Sequence, residues 1–193
     1  MFCEQMRLSS ATAFRITMLS ILALPVMAGC GGSYYGPSEY ELAKQKQQGF
    51  SDLIAEAGGT ASKEGKRMFG FEMTGWLVDL SGAEISDDLI ESITEVAAKD
   101  AVFQLVLSKS TITDDQLSQL ADGGVFQKMV VLDVTETAVT DAGLDRLTDV
   151  HCITELKLKG SSATKAGAAR LGSRQIANPD TPAPFKKQPK VDI

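Results

Sequence analysis

Residues 102–120, VFQLVLSKSTITDDQLSQL, and residues 129–147, MVVLDVTETAVTDAGLDRL, carry one pattern twice, set 27 residues apart. In each, a strand-like triplet is followed by an apolar residue and a Thr-Asp pair. The triplets are Leu105-Val106-Leu107 and Leu132-Asp133-Val134; the second blocks are Ile112-Thr113-Asp114 and Val139-Thr140-Asp141. Working outward, Val78-Asp79-Leu80 with Ile85-Ser86-Asp87 precedes these copies, and Leu156-Lys157-Leu158 with Ala163-Thr164-Lys165 follows them. The residue that opens the second block, at 85, 112, 139 and 163, recurs at spacings of 27, 27 and 24. Five and eight residues later come Ile90 and Ile93, Leu117 and Leu120, Leu144 and Leu147, then Ala168 and Leu171. Val102, Met129 and Ile153 stand three residues before each triplet except the first.

Each copy is a physical unit. Period-two alternation in the triplet makes a strand with one buried face. Ser86, Thr113, Thr140 and Thr164 sit where a helix N-cap belongs, and Asp87, Asp114 and Asp141 fall in the first turn, where negative charge meets the helix dipole. The apolar residues farther on turn that helix toward the strands. One such coil cannot bury its own apolar side, so stacked neighbours supply the core and the ends need caps.

Over residues 75–171 this pattern resembles the leucine-rich repeat family, most closely its bacterial, ribonuclease-inhibitor-like and cysteine-containing variants. The resemblance implies an α/β fold: a short solenoid of about four repeats over residues 77–176, with parallel strands on the concave face and helices on the convex face. Two departures stand out. The position that the family fills with a buried Asn or Cys is Ala83, Ser110, Thr137 and Ser161 here, and the fourth copy is degenerate. Ser and Thr hydroxyls can still bond backbone groups in the turn, whereas Ala83 cannot, so the first copy is expected to be looser there.

Residues 38–76 read as an N-terminal cap. Ser38 to Ala57 is rich in helix formers, with Phe50, Leu53, Ile54 and Ala57 on one face and Gly58-Gly59 as a stop. Gly49 is a point where this helix is expected to kink or divide. Arg67 to Trp76 alternates loosely and reads as a strand whose Phe69, Phe71 and Trp76 cover the open end of the solenoid; the alternative is an aromatic ligand platform. Residues 177–193 hold four of the six prolines and no apolar periodicity. This Pro/Lys tail, basic at Lys186, Lys187 and Lys190, is expected to be disordered.

The N-terminus reads as an address. Arg7 and Arg15 precede a mostly apolar run of 13 residues, Ile16 to Ala28, too short to span a bilayer, which takes roughly 20 apolar residues. Residues 1–29 are therefore read as a signal peptide. Met27-Ala28-Gly29-Cys30 resembles the lipobox of bacterial lipoproteins, with Met27 where Leu is usual and Glu4 unusual in the basic region. The resemblance implies lipidation at Cys30, a tether over 30–37, and export to the outer membrane or periplasmic side of a bacterial membrane. Ordinary cleavage after Val26-Met27-Ala28 would instead give a soluble periplasmic or secreted protein.

Composition narrows the function. At 193 residues and 44% hydrophobic content the chain fits one domain with tails. A net charge of −6 and a pI near 4.9 argue against nucleic acid as a partner. Cys3, Cys30 and Cys152 are an odd, widely spaced set that spells neither a disulfide framework nor a metal site. The column Asp87, Asp114, Asp141 suggests calcium, but helix capping explains its spacing and Lys165 breaks it. Asp79 and Asp133 lie two strands apart, about 10 Å at a strand spacing of roughly 4.8 Å, with Val106 between them; that leaves a hydrolase reading with little beyond the pair. His151 and Cys152 are neighbours that point to opposite faces and cannot readily share a proton, so a buried Cys152 beside a surface His151 is expected. Gly58-Gly59 and Gly123-Gly124 lack the Lys-Ser/Thr of a phosphate loop. The sequence thus implies no cofactor, no metal and no enzyme.

The function expected is binding of a protein or peptide partner through the concave sheet. Its surface would be Leu77 and Asp79, Gln104 and Val106, Val131 and Asp133, then Glu155 and Lys157, with Leu77, Val106 and Val131 as apolar centre. The alternative is an envelope spacer without a specific ligand.

Overall fold

A computed structural model describes residues 37–193 except Phe69; the signal-like segment, Cys30 and all of the tether before Pro37 lie outside the described residues. The chain runs α1 (Glu39–Glu56), β1 (Thr60–Met68), β2 (Phe71–Asp79), α2 (Asp87–Ala97), β3 (Ala101–Val106), α3 (Asp114–Asp122), β4 (Val131–Asp133), α4 (Asp141–Arg146), β5 (Glu155–Lys157), α5 (Lys165–Ala177) and β6 (Lys190–Asp192). The architecture is α/β: one six-stranded sheet in sequence order, antiparallel between β1 and β2 and parallel from β2 to β6.

The repeat spacing becomes sheet register. Val78, Leu105, Leu132 and Leu156 pair in one row across β2 to β5 and are all buried. They meet Ile90, Ile93, Leu117, Leu120, Leu144, Leu147, Ala168 and Leu171 from the helices in a single core that also holds Phe50, Ile54 and Trp76. A left-handed turn residue follows each strand in the same register: Gly82, Lys109, Glu136 and Gly160, with φ from 53° to 73°. Two units meet that requirement with glycine, and two hold an L side chain in a conformation it disfavours.

The turns show how the units are joined. Ser110, Thr137 and Ser161 each donate a hydroxyl hydrogen bond of 2.7 Å to the carbonyl three residues back, at Leu107, Val134 and Leu158. Ala83 has no hydroxyl, and there the Ile85 N–H is taken by Thr111 of the next unit at 2.9 Å. Ser86, Thr113, Thr140 and Thr164 are N-caps whose side chains accept backbone N–H bonds. Asp114 reaches across to the next unit, accepting from Thr140 N at 2.9 Å and Thr140 Oγ1 at 2.6 Å. Asp141 does the same to Thr164, at 2.6 and 2.8 Å. Gly143 and Gly167 make this possible, because a Cβ at either would run into the Asp114 or Asp141 carboxylate. The first junction is built otherwise: Gln116 stands where the later units have glycine, and its Nε2 donates to Ile85 O at 3.0 Å and to Asp87 at 3.3 Å.

Three expectations are corrected. α1 is continuous through Gly49, since the helix needs no side chain at a position exposed to solvent. Arg67–Trp76 is not one strand but the turn and second arm of a hairpin, reversing at Gly70, whose φ is +84°. Trp76 is buried there, but Phe71 is 73% exposed because the hairpin tip extends past the end of β3; Phe69 lies outside the described residues.

The third correction is the tail, which is ordered. A 3-10 turn spans Ala183–Phe185, and β6 pairs with β5 in parallel. The reason is a side chain the periodicity does not mark. Gln175 is fully buried, accepts from Ile153 N at 3.0 Å and donates to the carbonyls of Ile153 and Phe185 at 2.9 Å each. Gly172 leaves the room that Gln188 and Pro189 occupy.

Candidate functional site

The eight residues expected to form a surface fall in two adjacent rows on the side of the sheet away from the core. Leu77, Gln104, Val131 and Glu155 pair in one row, which Lys190 continues; Asp79, Val106, Asp133 and Lys157 pair in the next, which Asp192 continues. Alternation puts them there, because each core residue of the row between them faces the helices. Leu77, Val106 and Val131 are half-buried, as are Gln104, Glu155 and Lys157, and Asp79 is exposed.

Asp133 is a correction. It is only 7% exposed: its carboxylate turns back to accept the Thr135 N–H at 3.0 Å and lies 3.5 Å from Lys157 Nζ. The pairing with Lys157 is the neighbour relation the register implies, and it removes Asp133 from the accessible surface. Asp79 also spends its carboxylate locally, on Ser81 N at 2.9 Å and Ser81 Oγ at 2.6 Å. The face is accordingly more apolar and less charged than the residue types suggest.

A small second core on this face was missed. Ala101, Phe103, Val130 and Cys152 are buried together, with Met73, Leu77, Val131 and Phe185 packed against them. Its cause is a register shift between Trp76 and Leu77, which leaves Phe103 as an extra residue on β3. Gly75 opposite has no side chain, and the Phe103 ring occupies that space, 2.7 Å from where a Cβ would stand. The readable signal was there: Val102 and Phe103 break the alternation beside a strand glycine.

Cys152 belongs to this second core, and burial pushes its thiol up to about 11, with Lys128 opposing weakly. A thiol held that high is protonated at neutral pH and a poor nucleophile. His151 is not the surface residue expected beside it; its side chain is 15% exposed, with Nε2 2.6 Å from Asp149. On the helical side, Arg170 bridges Asp141 and Asp145, while Arg174 holds Asp145 and the Leu144 carbonyl. Asp145 lies below the usual carboxylate range because of its hydrogen bonds to Arg170 and Arg174. Asp141 lies low chiefly through the Thr164 backbone N–H and hydroxyl, with Arg170 adding to them.

Among the described residues no His/Cys/Asp/Glu group could hold a metal ion, and no helix is long and apolar enough to cross a membrane. No family model, curated protein or solved structure matches the chain.

Proposed function

We propose that the chain is a bacterial envelope protein whose strand-and-helix units form a short leucine-rich-repeat solenoid and whose open sheet face binds a protein or peptide partner. The solenoid reading is supported by strands in sequence order, by the shared register of the left-handed turns, and by the Asp-to-Thr junctions between successive units. The observation that carries the function is the apolar patch on the sheet face away from the α-helices. Leu77, Val106 and Val131 lie on three neighbouring strands there, partly exposed, with Leu77 and Val131 packed against the second core. Gln104, Glu155 and Lys157 border them, the arrangement of an apolar centre with a polar rim. Anchoring through Cys30 rests on the lipobox-like Met27-Ala28-Gly29-Cys30.

Val106→Glu tests the binding face. Crosslinking from a photoreactive group at Gln104 should recover one dominant partner in the envelope, Val106→Glu should abolish it, and the melting temperature should stay unchanged. If the partner ignores Val106→Glu but is lost when Lys186 and Lys187 are neutralised, the tail is the binding element. A spacer without a ligand gives no dominant crosslink. For the anchor, Cys30→Ser should move the protein from the membrane pellet to the soluble fraction or leave the precursor uncleaved; a wild type already soluble after washing removes the anchor from the proposal.

A further inference from the structure

The other side of the sheet carries a cleft that the repeat does not account for. It lies between α1 and α2 over the start of the sheet and has a volume of about 540 Å³, within the roughly 300–1,000 Å³ range of small-molecule sites. Its existence follows from the way α1 docks. Phe50 and Ile54 are the buried residues of this helix, while Glu39–Gly49 is exposed throughout, so the helix stands off α2 along its first turns.

The floor is aromatic and fixed. Phe50 and Trp76 meet edge to face, with centroids 4.8 Å apart and planes at 75°, and Val96 of α2 closes the opposite side. Trp76 is held by its neighbours on the wall. Lys63 Nζ bonds both Asp100 oxygens at 2.9 Å and lies 5.8 Å from the indole centroid, and the Trp76 Nε1–H donates to Asp100 at 3.4 Å. Those wall charges satisfy each other. The rim is different: Lys46 and Lys99 have no acidic partner within ion-pair distance among the described residues, against one such carboxylate at Glu95.

We propose that this cleft binds a small amphipathic anion, a carboxylate on an aryl or alkyl body. The apolar body lies between Leu53 and Val96 over the nearly buried Phe50–Trp76 pair, and Lys46 and Lys99 take the anionic group. A cation is disfavoured because Asp100, the acid at the wall, is already engaged by Lys63 and the indole, and Glu95 alone stands against two rim lysines. The proposal is independent of the open sheet face, since Trp76 and Leu77 point to opposite sides of β2.

Trp76 is the only tryptophan of the chain, so its emission reports on the cleft directly. The full-length protein is titrated with 4-phenylbutanoate and decanoate, which separate an aryl from an alkyl body, and with 4-phenylbutanol and 4-phenylbutylamine as neutral and cationic controls. At least one carboxylate should change Trp76 emission saturably, and 4-phenylbutanoate, if it is the one, should bind about tenfold more tightly than its alcohol, the scale of a charge-assisted contact. In the Lys46→Gln/Lys99→Gln variant, the responding carboxylate should weaken by about the same factor with the melting temperature unchanged. An amine that binds as tightly as the carboxylate, no saturable response at millimolar concentrations, or full carboxylate affinity in the double variant would overturn it.

Discussion

The hairpin of β1 and β2 and the units from β3 to α5 share one sheet and one core, yet they are joined by different chemistry. In the repeated part each junction is closed by short bonds between equivalent residues, Asp114 to Thr140 and Asp141 to Thr164, with a glycine at the contact. In the hairpin part the contacts are singular: one half-buried ion pair between Lys63 and Asp100, one aromatic pair, and a helix that touches the rest through its last turns. In the repeated part every unit is the template for the next. Departure from it is what opens a cleft beside α1.

The sharpest way to break this comparison is Leu132→Ala, at a fully buried position of the repeated core. It should cost about 2–5 kcal/mol. Because one core runs from Phe50 to Leu171, the unfolding midpoint followed by Trp76 emission should fall together with that followed by far-ultraviolet circular dichroism. A Trp76 midpoint that stays put would show that the hairpin part folds by itself.

Gly143→Ala probes the junction without touching the core. The added Cβ intrudes on Asp114 and breaks its bonds to Thr140, so stability to urea should drop by about 1.5–3 kcal/mol, the scale for hydrogen bonds to a charged group. The same change at the solvent-facing Gly49 meets no neighbour within 4 Å and should stabilise, by up to about 1 kcal/mol, as alanine replaces glycine within a helix.

In the hairpin part, Asp100→Asn removes a pair whose side chains are 22% and 31% exposed. Solvent screens such a pair, and the expected loss is no more than about 1 kcal/mol. The informative readout is a shift in Trp76 emission, because the indole loses its charged partner; unchanged emission would mean that Asp100 does not hold the ring.

Acid should weaken the repeated part. The carboxyls of Asp141 and Asp145 lie below their ordinary value in the folded state, so their contribution is present above about pH 3.9 and is lost as pH falls through the lowered values. Asp141→Asn should flatten the loss of thermal stability below about pH 4. An acid limb with unchanged slope would place the effect elsewhere.

The comparison also sorts what can be read from sequence. Leu105, Leu132 and Leu156 announce their row by spacing alone, and Thr113, Thr140 and Thr164 their caps, because a repeat states each environment several times. Alternation puts Asp133 on the outward row, where it lies, but does not state that its carboxylate folds back onto the Thr135 N–H and Lys157 and is buried. The hairpin turn at Gly70 is stated only once, so Lys63 could not be placed beside Trp76, nor α1 beside α2. The tail hid for a similar reason: β6 is three residues long and sits in a Pro-rich stretch, and its order depends on Gln175, a residue with no counterpart earlier in the chain.

Gln175 has a consequence for how such an array can change in length. Its amide bonds both backbone groups of Ile153 and the Phe185 carbonyl, which ties the last unit to the segment that carries β6 onto β5. A duplicated unit spliced in after α5 would therefore have to displace β6 from the edge of β5 and break the Gln175 contacts that hold it there. Growth by recombination, in a lineage or at the bench, has to enter ahead of Ile153, where one unit can be copied without disturbing the seal.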